Sequence, residues 1–153
     1  MKNKITIMSR TVMERMMAAD FPDNTAVVSF YDPKTKRNPA DYKPIDYSGI
    51  CDRVFPIALH DIDLEILGEY GMTFDTYFPQ ADDLARFIIS AVSDGCDIIC
   101  QCEYGQSRSA ACAAAIQEFF DRSGIEVFAD YRYYPNQLVF NKLLAALRRA
   151  AQC

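Results

Sequence analysis

The sequence predicts an α/β sandwich, three layers with a central, largely parallel β-sheet flanked by helices. Two observations carry that expectation. Short β-branched or aromatic runs alternate with helix-periodic segments along the chain, and such alternation builds parallel sheets through helical crossovers. Half of the 153 residues are apolar and 24% are charged, the balance of a chain that buries an ordinary globular core. One domain spanning residues 1–153 follows from length and from the absence of repeats, linkers or low-complexity tracts.

The elements follow in order. "KITIMS" (4–9) alternates as a short strand, and "TVMERMMAA" (11–19) is helix-like. "TAVVSFY" (25–31) is a strand rich in β-branched and aromatic residues. Residues 32–50 hold three prolines and many charges and read as a long loop. "RVFPIALHD" (53–61) is another strand, and 64–77 is ambiguous because two glycines interrupt it. A helix opens at Pro79, with Leu84, Phe87, Ile88, Ala91 and Val92 on one apolar face, Asp82 and Asp83 in its first turn and Gly95 past its end. "DIICQC" (97–102) is a short buried strand. The alanine-rich helix from about Ser107–Ser109 is apolar on most sides and therefore central. Pro135 opens a last helix with Phe140, Leu143, Leu144 and Leu147 inward and Arg148 and Arg149 at its favourable C-terminal end.

Charge and hydropathy narrow the function classes. A net charge of −5 argues against a nucleic-acid partner or an anionic membrane surface. No apolar run approaches the roughly 20 residues of a membrane span, and the charged start "MKNKITIMSRTVMERMM" does not read as a signal peptide. The expected compartment is the cytoplasm, where the six cysteines are free thiols.

The chemistry lies in "DIICQCEYGQSRSAACAAAI". Ligands of such folds bind outside the carboxyl ends of the strands. There the strand ends at Cys102, and the loop "EYGQS" leads into the helix. Gly105 lets the loop turn successive N–H groups inward as an anion nest. The helix N-terminus adds donors and a positive dipole end. Arg108 adds a planar two-bond fork for a phosphoryl group. A thiol in such a place is acidified, because helix N-termini and nearby arginine lower a cysteine pKa from ~8.5 to about 3.5–7.5. Spacing selects Cys102 as the nucleophile, since no other cysteine has an arginine six residues on; Cys100 is a strand neighbour.

"CEYGQSRS" resembles the signature loop of the cysteine-based protein tyrosine phosphatase superfamily, His-Cys-x5-Arg-Ser/Thr, and most resembles that of compact bacterial dual-specificity-like phosphatases. The sharp likeness covers about 97–116; a looser likeness in element order, including "PNQLVFNKLLAAL", covers most of the chain. It implies a metal-free, cofactor-free phosphoric monoester hydrolase acting through a phosphocysteine. Its substrate would be a phosphorylated protein or a small phosphomonoester. Cys102 would attack phosphorus. The backbone of Glu103, Tyr104, Gly105, Gln106, Ser107 and Arg108, with the Arg108 side chain, would hold the oxygens. Ser109 would stabilise the departing thiolate. Asp61 in "HDID" matches the family's general acid, with Asp63 second. One position departs: the family's histidine before the cysteine is Gln101 here, which can still donate to a neighbouring carbonyl.

Two other functions share an anion loop with a cysteine: a rhodanese-like sulfurtransferase, and a phosphate-binding pseudophosphatase with little turnover. Among other candidates, His60 reads as a structural histidine beside Asp61, and Cys100 with Cys102 lacks companions for a zinc site. Cys51, Cys96 or Cys100 could cap Cys102 reversibly as a disulfide, but each reads first as a small buried hydrophobe. "KTKR" (34–37) is a solvated basic loop, and "YRYYPN" (131–136) packs or lines a pocket rim.

Overall fold

A computed structural model describes residues 1–34 and 43–152. Four strands, β1 (Ile5–Ser9), β2 (Thr25–Tyr31), β3 (Val54–Ala58) and β4 (Asp97–Cys102), form one sheet in the order β1-β4-β2-β3. All three pairings are parallel, with Ile5 beside Ile98, Thr25 beside Asp97 and Val27 beside Val54. The α/β expectation therefore holds, with a fully parallel sheet.

The pleat divides β4 between two cores. Ile98, Cys100 and Cys102 face helices α2 (Ala81–Ser93), α3 (Arg108–Asp121) and α5 (Gln137–Ala151), and share a core with Leu84, Ile88, Leu143 and Leu147. Ile99 faces the other side, where Met13 of α1 (Arg10–Ala19), Met8, Val27 and Tyr47 bury it. Helix α3 is buried from Arg108 through Ile116. Its alanines let neighbours approach on every side, as expected of a central helix.

Helix boundaries follow local chemistry. The Ser9 side chain accepts from the Val12 N–H at the start of α1, and Asn136 does the same for Val139 N–H at the start of α5. Arg149 at the end of α5 bridges to Asp82 in the first turn of α2 at 2.7 Å. The ambiguous stretch after β3 is a 3-10 helix, Leu64–Tyr70, closed by Gly71 at φ +70°. A short helix α4 (Ile125–Ala129) was not anticipated; at five residues it has no room for a helical period. Among the described residues, no helix is long and apolar enough to cross a membrane.

Because every strand runs the same way, Ser9, Tyr31, Ala58 and Cys102 all end at one sheet edge. The residues that follow them, including Arg10, Asp32 and the 59–63 segment, emerge around the loop after Cys102.

Candidate active site

Loop 103–107 is clamped by its carbonyl groups. Glu103 O accepts from Arg10 N–H at 3.1 Å, Gln106 O from Tyr134 N–H at 2.8 Å, and Ser107 O from Ala111 and Asn136 N–H at 2.9 and 3.2 Å. With the carbonyls turned outward, the backbone N–H groups from Glu103 to Arg108 donate to no described acceptor. Successive N–H groups left so, at the start of a 14-residue helix, form an anion-binding concavity. Gly105 is the pivot. It has φ +68°, and a Cβ there would lie 2.5 Å from the backbone nitrogen of Ser9 and 2.8 Å from the carbonyl carbon of Met8. The loop rests directly on the end of β1, and only glycine fits.

Cys102 is 2% exposed, and its Sγ lies 3.0 Å from Ser109 Oγ. Arg108 is 4% exposed. Its Nη1 donates to Asp32 Oδ1 and to Leu59 O, both at 2.8 Å. Its Nε is buried without a partner among the described residues, and Nη2 donates to no described acceptor. A buried donor left unmatched costs about 1–3 kcal/mol. The unengaged side of the guanidinium is the Nε/Nη2 edge, which matches two oxygens of a phosphoryl group. Asp32, one residue past β2, was missed in the sequence. The available signal was its place at the carboxyl end of a parallel strand.

Gln101, 2% exposed, lies on the opposite face of β4. Its Nε2 donates to Cys102 O at 3.0 Å. Its Oε1 accepts from Tyr47 OH at 3.0 Å and from Ser29 Oγ, which fixes the orientation of the amide. Burial pushes the Tyr47 pKa up to about 12, so its hydroxyl stays a donor. The bond to a neighbouring carbonyl expected of Gln101 is present.

Asp61 follows β3 on the exposed side of the loop. Its Oδ1 accepts from Ser107 Oγ at 2.6 Å and from Asn136 Nδ2 at 2.9 Å. Asn136 Nδ2 also donates to Ile62 O at 2.9 Å, and Asn136 Oδ1 caps α5. One asparagine thus ties the 61–62 segment, loop 103–107 and α5 together. In the sequence it was read as part of "YRYYPN", which packs or lines a pocket rim, with no role of its own. Asp63 precedes the 3-10 helix and makes no side-chain cap bond.

His60 packs its ring on Tyr70, centroids 4.8 Å apart. Burial lowers its pKa; Asp32 opposes that shift and Arg108 adds to it. Cys51, Cys96, Cys100, Cys102 and Cys112 are free thiols. Burial pushes the Cys112 thiol well up, and its neighbours Cys100 and Cys102 push the same way, so Cys112 is a neutral filler beneath the loop. Of "KTKR", residues 35–37 lie outside the described residues. In "YRYYPN", Tyr131 and Tyr134 are exposed and Asn136 is buried.

No protein-family model matches this chain, and no curated protein matches it by sequence. Solved structures do match in shape. Human DUSP28 aligns with a TM-score of 0.51 at 17% identity, over 97% of this chain and 95% of that one. PTPMT1 in complex with PI(5)P aligns at 0.54 and 13%, over 97% and 93%. A leucine rich repeat and phosphatase domain containing protein from Entamoeba histolytica aligns at 0.51 and 10%, over 98% and 90%. This chain has the fold of the cysteine-based protein tyrosine phosphatase superfamily, shared with dual-specificity phosphatases.

Proposed function

We propose that residues 1–153 form a single phosphatase-like domain that hydrolyses phosphoric monoesters through a phosphocysteine, in the manner of tyrosine and dual-specificity phosphatases. The observation that carries the reading is Arg108. Among the described residues, a nine-tenths buried guanidinium has one nitrogen held by Asp32 and Leu59 O while Nε has no partner, beside a row of unengaged N–H groups. That is a site completed by an oxyanion.

In the first step the Cys102 thiolate attacks phosphorus; the S–P bond forms as the P–O bond to the leaving group breaks. The loop N–H groups and the Nε/Nη2 edge of Arg108 take up the charge on the equatorial oxygens. Asp61 protonates the leaving oxygen. Its Oδ1 is occupied by Ser107 and Asn136, so Oδ2 carries the proton. In the second step Asp61, now a carboxylate, takes a proton from water. The water oxygen bonds to phosphorus and the S–P bond breaks. Ser109 Oγ, 3.0 Å from Sγ, donates to the thiolate as it leaves. No metal enters these steps. The five described free thiols suit a reducing compartment such as the cytosol.

Cys102→Ser tests this. A hydroxyl keeps the shape but supplies no thiolate at neutral pH. Turnover of p-nitrophenyl phosphate should vanish while vanadate or tungstate still binds, and Cys100→Ser should keep most activity. Oxyanion binding without turnover in the wild type would mean a binding module. Sulfur transfer from thiosulfate to cyanide would mean a sulfurtransferase.

A further inference from the structure

Beside loop 103–107 lies a groove of about 680 Å3 between the 61–65 segment and the start of α5. Of the loop, Ser107 lines the groove, and its Oγ donates to Asp61 on the groove wall at 2.6 Å. A ligand held by the buried, unpartnered Nε of Arg108 therefore has the groove beside it. Asp61, Asp63 and Glu65 stand along one wall. Leu64, Phe74 and Tyr134 contribute apolar surface and are 62%, 48% and 74% exposed. No lysine or arginine is among its described lining residues. Of the cations nearby in sequence, Arg132 pairs with Asp130 at 2.7 Å, and Lys142 Nζ sits at the margin, donating to the carbonyls of Phe74 and Tyr77 and 5.0 Å from the Phe74 ring centroid, so the three carboxylates outnumber it.

An anion cradle thus adjoins a groove of opposite charge. We propose that the groove seats the residues flanking the phosphorylated side chain, and that it selects phosphopeptides with lysine or arginine there. This rests on the phosphatase reading above. A flanking ammonium gains from Asp63 and Glu65, while its alkyl stem covers Leu64 or Phe74. A second phosphate, as on a polyphosphorylated inositol lipid, meets carboxylates and is repelled.

The test compares two peptides with phosphotyrosine between pairs of lysines or pairs of glutamates. Two exposed charge contacts, each worth about 1.4- to 5-fold, gained with one peptide and reversed with the other, give about 4-fold or more in kcat/KM in favour of lysine at low salt. The ratio should shrink as salt rises and fall towards one in Glu65→Lys, whose position is exposed on the 3-10 helix. The ratio is internal to each variant, so a change in overall rate does not disturb it. Equal kcat/KM for both peptides, or a ratio unmoved by Glu65→Lys, overturns the proposal. So does faster hydrolysis of a phosphoinositide in vesicles than of the lysine peptide. If p-nitrophenyl phosphate is not hydrolysed either, the phosphatase reading itself has failed.

Discussion

Beneath loop 103–107, Gln101 is 2% exposed and every polar atom of its amide is engaged by Ser29, Tyr47 or Cys102 O. Beside the loop, Asp61 is exposed and has one carboxylate oxygen bonded and the other without a described partner. The floor is a closed polar network inside a core, whereas the wall is an open group on a short segment tied down by Asn136. The difference separates two kinds of work. A buried network that is fully satisfied fixes geometry and couples to stability. An exposed carboxylate can gain and lose a proton without disturbing the fold. Substitutions in the floor should therefore move stability and activity together, and those in the wall activity alone.

Gly105→Ala should strain that contrast most. The added Cβ meets the backbone of Ser9 and Met8 at 2.5 and 2.8 Å, and backbone at the end of a strand cannot turn aside as a side chain does. A positive φ adds roughly 1–2 kcal/mol for a non-glycine residue. The loop must lift, which displaces at least two donors, each worth about 10²–10³ in rate. A loss of about 10⁴-fold or more in kcat, with vanadate binding weakened in parallel and a lower Tm, is the expected outcome. Wild-type turnover by this variant would mean that the loop does not need its contact with β1.

Asp61→Asn should act on the wall alone. The amide oxygen can still accept from Ser107 and Asn136, so Tm should change little. With a tyrosyl or alkyl phosphate, whose leaving oxygen needs a proton, kcat should fall about 10²–10⁴-fold. With an activated aryl phosphate the fall should be much smaller. Asp63→Asn should show no such dependence on the leaving group. If the dependence follows Asp63 instead, the general acid lies two residues further on.

Much of this floor and wall was legible in sequence for a topological reason. A parallel sheet sends all its strand ends to one edge, so Cys102, which ends "DIICQC", and Asp61, which ends "RVFPIALHD", come to the same side of the molecule. The left-handed turn at Gly105 and the place of Arg108 at the start of α3 were legible because both are set locally by the loop. Asp32 and Asn136 were not, although both are polar residues in loop sequence, where such residues abound. Their roles are set by contacts across 76 and 75 positions, with Arg108 and Asp61 respectively, and spacing along the chain carries no trace of them. The 3-10 helix escaped because Gly68 and Gly71 interrupt its stretch, and α4 because five residues are too few for its period to show. The groove beside Asp61 is likewise a product of two segments meeting, 61–65 and 134–141.

The smallest expected effect concerns Gln101. A neutral imidazole carries one donor and one acceptor on opposite sides of its ring, and the Gln101 amide spans the same two jobs, donating to Cys102 O and accepting from Tyr47. Gln101→His should therefore keep Tm close to the wild-type value and leave turnover within a few-fold, with the ring nitrogens replacing Nε2 and Oε1. Gln101→Leu removes both. Cys102 O then lacks its side-chain partner, and the buried hydroxyls of Ser29 and Tyr47, 3.3 Å apart, retain only each other. A cost of about 1–3 kcal/mol should appear as a lowered denaturation midpoint, together with a fall in kcat smaller than that of Asp61→Asn. Because the change lies in the floor, the fall should be the same for activated and unactivated substrates. A leaving-group dependence in Gln101→Leu would show that the two sides of the loop are coupled, and the division between floor and wall would have to be abandoned.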